Sequence, residues 1–172
     1  LVADMGLHMP DFRAGERTFQ LLTQVAGRAG RGERAGHVIV QTYTPYHPAL
    51  QHALKHDVDG FCAEELPDRV ALGFPPATHM VLVQVRGADQ RLTETTAADV
   101  LARLQPQLPP NVVVSGPLPA PIAKIRCQYR YQLTLRGGDI RLLGKVLRRA
   151  ILGQRFPKDV EVAIDVDPRS LL

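Results

Sequence analysis

The sequence predicts a chain of two mixed parts: an α/β segment over residues 1–75 and an α+β domain over 76–172. Three observations carry this. A helical pattern over 13–31 gives way to the β-branched run "GHVIVQTYTP" and then to further helical pattern. "GFPPATH" punctuates the chain with a glycine and two prolines where helical pattern changes to strand pattern. Beyond it, strand and helix patterns follow the order β-α-β-β-α-β.

Each element has its own reason. "DFRAGERTFQLLTQVAGRAG" reads as a helix, with Asp11 as a candidate N-cap and Gly15 as a weak point after which the helix is expected to begin. "GHVIVQTYTP" reads as a strand closed by Pro45. "HPALQHALKHDVDGFCAEELPDRVAL" reads as two helices, with a break at 57–60 and a disturbance at Pro67. In the second part, "HMVLVQVRG" is a strand with Met80, Leu82 and Gln84 on one face and Val81, Val83 and Val85 on the other. "TETTAADVLARLQPQL" is a helix with Thr93 or Thr95 near its cap, and "NVVVSGP" is a short strand. "IAKIRCQYRYQLTLRGG" reads as one longer strand, "DIRLLGKVLRRAILGQ" as an amphipathic helix from Asp139, and "DVEVAIDVDP" as the last strand. Two helices on one face of a four-stranded antiparallel sheet, as in ferredoxin-like folds, suit that order over 77–168.

Composition bounds the function. With 172 residues, 45% hydrophobic and 22% charged, the chain is an ordinary globular sequence of one domain or two small ones. A net charge of +4 permits a polyanionic partner without demanding one. Aromatic content of 5% with no Trp argues against rich base-stacking surfaces. No apolar run is long enough to span a membrane and no signal peptide is visible, so a cytoplasmic location is expected. Cys62 and Cys127 are expected as buried thiols in a reducing compartment. The chain opens "LVADMGLHMP", without an initiator Met, which suggests a piece of something longer.

The stretch "QVAGRAGRG" concentrates the chemistry. On a helical wheel Gln24, Arg28 and Arg31 lie at i, i+4 and i+7 on one face, and Arg13, Arg17 and Gln20 extend the stripe. Phe19, Leu22, Ala26 and Ala29 fall opposite, where a core belongs. Glu16 is the one acid nearby, although a solvated helix face commonly mixes both signs. Gly27 and Gly30 each cost about 1 kcal/mol relative to Ala inside a helix, which suits a surface that another body approaches. Arginine offers a permanently charged fork matched to phosphate oxygens. The plainer alternative is a basic surface helix that frays into a glycine turn.

These residues resemble helicase motif VI of superfamily 2, Q-x-x-G-R-x-G-R. With "PDFRAGERTFQLLTQ" before them, "GHVIVQTYTPYHPAL" after them, and "GPLPAPIAKIRCQYRYQLTL" and "DVDP" near the far end, the chain resembles the family of primosomal protein N′, the PriA-type replication-restart helicases. That resemblance implies an ATP-dependent 3′-to-5′ DNA helicase acting in replication restart and primosome assembly. Residues 1–75 would close a second RecA-like lobe carrying motif VI, and 76–172 would be a C-terminal DNA- or partner-binding domain. Gln24, Arg28 and Arg31 would face ATP and Mg²⁺ held by a first lobe, with Arg31 and Arg28 near the γ-phosphate. The family's zinc-binding insertion and Walker motifs have no counterpart here, so this piece alone is not expected to be active. Forked or single-stranded DNA, primosome proteins and single-strand-binding proteins are the implied partners.

Ten lysines and arginines lie between residues 122 and 158, with Asp139 the one acid among them. Read as one strand, Lys124, Arg126, Gln128, Arg130 and Gln132 share a face, and Tyr129 and Tyr131 share the other with apolar neighbours. Lys124, Arg126 and Arg130, with Arg148 and Arg149 on the following helix, are the candidate DNA contacts; a solubilising face is the alternative. A stand-alone nucleic-acid-binding module without ATP chemistry also fits these residues. His47, His52 and His56 lack a third ligand and are expected on a solvent-facing helix. Asp165 and Asp167 share a strand face, and a strand end closed by Pro168 against a neighbouring domain fits them better than a cation. No metal site is assigned.

Overall fold

The computed structural model describes residues 2–29 and 37–171. The chain divides into two compact units, Leu1–Asp68 and Arg69–Leu172.

The first unit holds α1 (Asp4–Leu7), α2 (Ala14–Ala29), α3 (Pro48–Lys55) and most of α4 (Val58–Ala71). Helix α2 starts at Ala14, so Gly15 lies inside it rather than ahead of it. The buried Asp11 prepares that start: its Oδ1 accepts from Arg13 N at 3.0 Å and its Oδ2 pairs with Arg17 at 3.1 Å. The core joins Phe19 and Leu22 of α2 to Ala49, Leu50 and Ala53 of α3 and Phe61 of α4. The rings of Phe19 and Phe61 stack with centroids 4.6 Å apart. His47 caps α3, its Nδ1 accepting from Ala49 N at 3.1 Å, and Pro48 fits the first turn because its missing N–H is not needed there. The break between α3 and α4 falls at His56 and Asp57, with His56 at φ 53°; Gly60 and Pro67 both lie inside α4.

Among the described residues of "GHVIVQTYTP", 37–45, the expected strand does not form. Residues 37–40 have no ladder, and only a parallel bridge joins Val2 to Gln41, with Ala3 N donating to Gln41 O at 3.2 Å. β-branched composition makes a segment fit to pair; it does not supply the neighbour that a ladder needs.

The second unit is built on a four-stranded antiparallel sheet. Its elements are β1 (His79–Gly87), α5 (Gln90–Leu104), β2 (Val113–Ile125), β3 (Gln128–Gly137), α6 (Ile140–Ala150) and β4 (Val160–Val166), in sheet order β2-β3-β1-β4. The alternation of β1 is as the sequence indicates: Val81, Val83 and Val85 have no exposed surface and meet Leu133 and Leu135 of β3 in one core. Val100 and Leu104 of α5 and Leu143, Val146 and Leu147 of α6 close that core, so both helices cover the same face. Asp139 caps α6 as expected, its carboxylate accepting from Arg141 N and Leu142 N. Helix α5 begins earlier than expected. Asp89 is its cap, accepting from Leu92 N at 2.7 Å, and Thr93 is buried with its hydroxyl donating to Asp89 O.

The largest departure concerns the strand expected over "IAKIRCQYRYQLTLRGG". It is two strands joined by a two-residue turn at Arg126 (φ 49°) and Cys127 (φ 64°). Strand β2 reaches back to Val113 and takes Pro117, Pro119 and Pro121 into its run, which an edge strand tolerates because one side needs no ladder partner. The sequence hides this turn because two-residue hairpins favour Asn-Gly or Asp-Gly, and Arg-Cys carries no such signal.

Candidate functional site

On α2 the described part of the polar stripe is an exposed row. Gln20, Gln24 and Arg28 face out, while Phe19 and Leu22 are buried on the other side. Arg17 is committed to Asp11, and Arg13 lies over the ring of Phe12 at 4.7 Å, so these two belong to the start of the helix. Gln20 donates to Glu16 at 3.2 Å. Among the described residues, no carboxylate lies within ion-pair distance of Arg28. A Cβ added at Gly27 would meet nothing within 4 Å, so the backbone beside Arg28 is open to approach. Arg31 and Gly30 lie outside the described residues.

In the second unit the candidate DNA contacts separate onto two surfaces. The turn at 126–127 resets the parity, because directly opposed residues of an antiparallel pair share a face. Lys124 pairs with Tyr129, and Ile125 pairs with Gln128. Lys124 is therefore on the face opposite Arg130: its Nζ lies 3.2 Å from Tyr129 Oη and 4.3 Å from the ring centroid. Tyr131 is buried in the core, as its parity with Leu133 and Leu135 indicates. Arg148 and Arg149 are exposed on the last turn of α6, on the helix-covered side. Arg126 sits on the turn itself.

Arg130 lies on the face that the helices leave open. It is 8% exposed, and its one hydrogen bond is from Nη1 to Ile122 O at 3.4 Å. It borders a recess of about 750 Å³ together with Arg126, Gln128, Ile122 and Ile125 from the hairpin and Gln84, Arg86 and Glu161 from β1 and β4. Arg86 grips Glu161 with two bonds, of 3.0 and 2.7 Å, and those bonds hold the Glu161 carboxyl below its ordinary value, burial opposing and the charge of Arg86 assisting. Sequence reading missed Arg86 and Glu161. The available signal was the parity of Arg86 with Gln84 on β1, but nothing local shows which strands β1 will neighbour. The far end of the same face is occupied: Arg136 donates to Leu72 O at 2.7 Å and lies over the Phe74 ring.

Other candidates take structural roles. His52 is not merely solvated. Its Nε2 meets Glu64 at 2.9 Å and its Nδ1 meets Asp57 at 3.1 Å. Asp167, at φ 48°, accepts from Met80 N at 3.0 Å and pairs with His79 at 2.9 Å, so it fastens the end of β4 to the start of β1 within its own unit. Both cysteines are exposed, contrary to expectation, Cys127 because it occupies the hairpin turn. Among the described residues, no helix is long and apolar enough to cross a membrane.

Comparison with known proteins gives a consistent result. The family model described as "Primosomal protein N C-terminal domain" matches residues 70–169. "Replication restart protein PriA" of Synechocystis sp. is 42% identical over 171 residues, covering 99% of this chain and 20% of the relative. Proteins of the same name from Treponema pallidum and Bacillus subtilis are 41% and 36% identical over 99% and 100% of this chain, covering 26% and 22% of those relatives. The chain thus spans about a fifth to a quarter of the length of the curated relatives it matches.

Proposed function

This chain belongs to the replication restart protein PriA family, and from that premise we propose that it forms the C-terminal part of an ATP-dependent 3′-to-5′ DNA helicase acting in replication restart. Residues 1–75 are the closing part of a RecA-like second lobe. Residues 76–172 are a ferredoxin-like domain that binds forked or single-stranded DNA, or primosome and single-strand-binding proteins, in the cytoplasm. The single observation that carries this reading is the exposed Gln24–Arg28 row on α2, continued in sequence by Arg31, in a chain that matches its relatives from end to end.

The chemistry follows from the side chains. ATP and Mg²⁺ supply the phosphoryl group and its charge neutralisation, on a lobe outside this chain. Gln24 orients, and Arg28 and Arg31 present fixed positive charge to the γ-phosphate oxygens when the lobes close. Arginine loses no charge at any working pH, and its fork spans two oxygens. Such a finger is worth about 10³–10⁵ in rate in related systems. Open space at Gly27 and the absence of a described carboxylate beside Arg28 suit that approach. The chain alone therefore does not turn over ATP, and any zinc belongs to the family's other regions.

The test is DNA-stimulated ATP hydrolysis by the longer protein. Arg31→Ala is expected to remove most of the turnover and Arg28→Ala a large share, with DNA affinity retained. Unchanged turnover in both would remove the assignment.

A further inference from the structure

We propose that the recess on the open sheet face is a nucleotide subsite for single-stranded nucleic acid, with a phosphate held between Arg130 and Arg126 and a base laid against Ile122 and Ile125. This rests on the reading that the second unit binds DNA, and it assigns that binding to the sheet face rather than to α6.

Arg130 is the first reason. A guanidinium has five N–H donors. This one is more than nine-tenths buried, its one hydrogen bond is long, and among the described residues no carboxylate pairs with it. A charge taken from water without a partner is expensive unless something completes it. Glu161, the acid at the recess, has both oxygens engaged by Arg86. The recess therefore retains positive charge, and its missing component is an anion.

The geometry favours phosphate over carboxylate. Arg130 rises from the body of β3 and Arg126 from the hairpin turn, so the two forks reach the recess from separate points of the chain. A tetrahedral phosphate offers oxygens in several directions, whereas a carboxylate presents its lone pairs in one plane. Arg126 and Cys127 hold the left-handed conformations that a two-residue hairpin turn requires. Beside the phosphate position, the two isoleucines give an apolar wall and Gln84 and Gln128 add amides. Bases are available to such a wall only in an unpaired strand.

The experiment titrates the 172-residue chain against a labelled oligothymidylate by fluorescence anisotropy over a range of salt concentrations. The wild type is expected to bind with affinity falling linearly in log salt. Arg130→Gln is expected to weaken binding about tenfold and to flatten the salt slope by about 0.7, the share of one phosphate on a single strand. Arg126→Ser, on the exposed turn, should do the same without risk to the core, and keeps the test decisive if Arg130→Gln melts early. The pair Arg148→Ala and Arg149→Ala should have the smaller effect. If the α6 pair abolishes binding and both recess variants bind like wild type, the subsite is wrong and DNA binding stands. If the wild type does not bind at low salt, the DNA reading of this unit fails and the subsite with it. If an acidic peptide with a free carboxylate displaces the oligonucleotide through Arg130 at equal concentration, the anion is a carboxylate and the proposal is overturned.

Discussion

The two units build their cores differently. The second closes a core around residues with no exposed surface, from Val81 to Leu143, between one sheet and two capped helices. The first holds a small cluster around the Phe19–Phe61 stack and leaves an apolar groove of about 450 Å³ bordered by Leu22, Val38, Val40 and Leu50. Ile39, Tyr43 and Tyr46 are each more than four-fifths exposed. A self-contained core fixes its elements by its own pattern. A segment without its neighbours shows its propensity but not its pairing.

The sharpest way to break this comparison is to cut equivalent side chains from the two cores. Leu133→Ala, at a position with no exposed surface, should cost about 2–5 kcal/mol, because a sealed site leaves a cavity. Leu50→Ala should fall at the low end of that range, because Leu50 already borders an open groove. Chemical denaturation reads both; equal losses would mean that the groove is closed in solution. A smaller effect is expected at the bulge of β2. Gly116 has φ +98°, and a Cβ there would lie 2.5 Å from Gln132 O, so Gly116→Ala should cost about 1–3 kcal/mol. Gly138→Ala, where a Cβ would meet nothing within 4 Å, should stay within about 0.5 kcal/mol.

The smallest effect is a pH dependence confined to the first unit. The hydrogen bond to Glu64 raises the pKa of His52 above 6.5, burial opposes it, and Asp57 adds to the rise. The folded state thus binds that proton more tightly than the unfolded one. The stabilisation is complete below the unfolded value and is lost as pH rises through the raised one. Asp57 is held low by the N–H of Gly60 and then by His52, so its contribution is lost only as strong acid is approached. Amide exchange in α3, corrected for intrinsic rates, should show protection falling as pH rises above the ordinary histidine value of about 6.5. His52→Gln should flatten that profile; an unchanged profile would remove His52 as its source.

How far the sequence could be read follows the same division. In the second unit the β-α-β-β-α-β order, the faces of β1 and the cap at Asp139 were all legible, because alternation and capping are local. The hairpin at Arg126–Cys127 was not, and its loss misplaced Lys124 by a whole sheet face. A turn made from residues that do not advertise turns can be seen only once the strands pair. Asp89 was missed for a related reason: Thr93 and Thr95, closer to the apolar pattern, drew the cap downstream. In the first unit the helices were legible, but the segment at 36–45 was not, since no local signal says whether a partner strand is present. At the candidate site, the Gln24–Arg28 row could be read from helical spacing. The grouping of Arg86, Arg130 and Glu161 depends on the antiparallel register of three strands, which spacing along the chain does not contain.

In the proposed function the nucleotide-facing arginines lie in the first unit and the nucleic-acid contact on the open sheet face of the second. The most direct test measures ATP turnover against DNA concentration in the longer protein, with Arg31→Ala and Arg130→Gln side by side. Arg31→Ala should lower kcat and leave the DNA concentration for half-stimulation unchanged. Arg130→Gln should raise that concentration and leave kcat at saturating DNA unchanged. If both variants lower kcat alone, or both raise the half-stimulating concentration alone, the two units do not divide the work in this way.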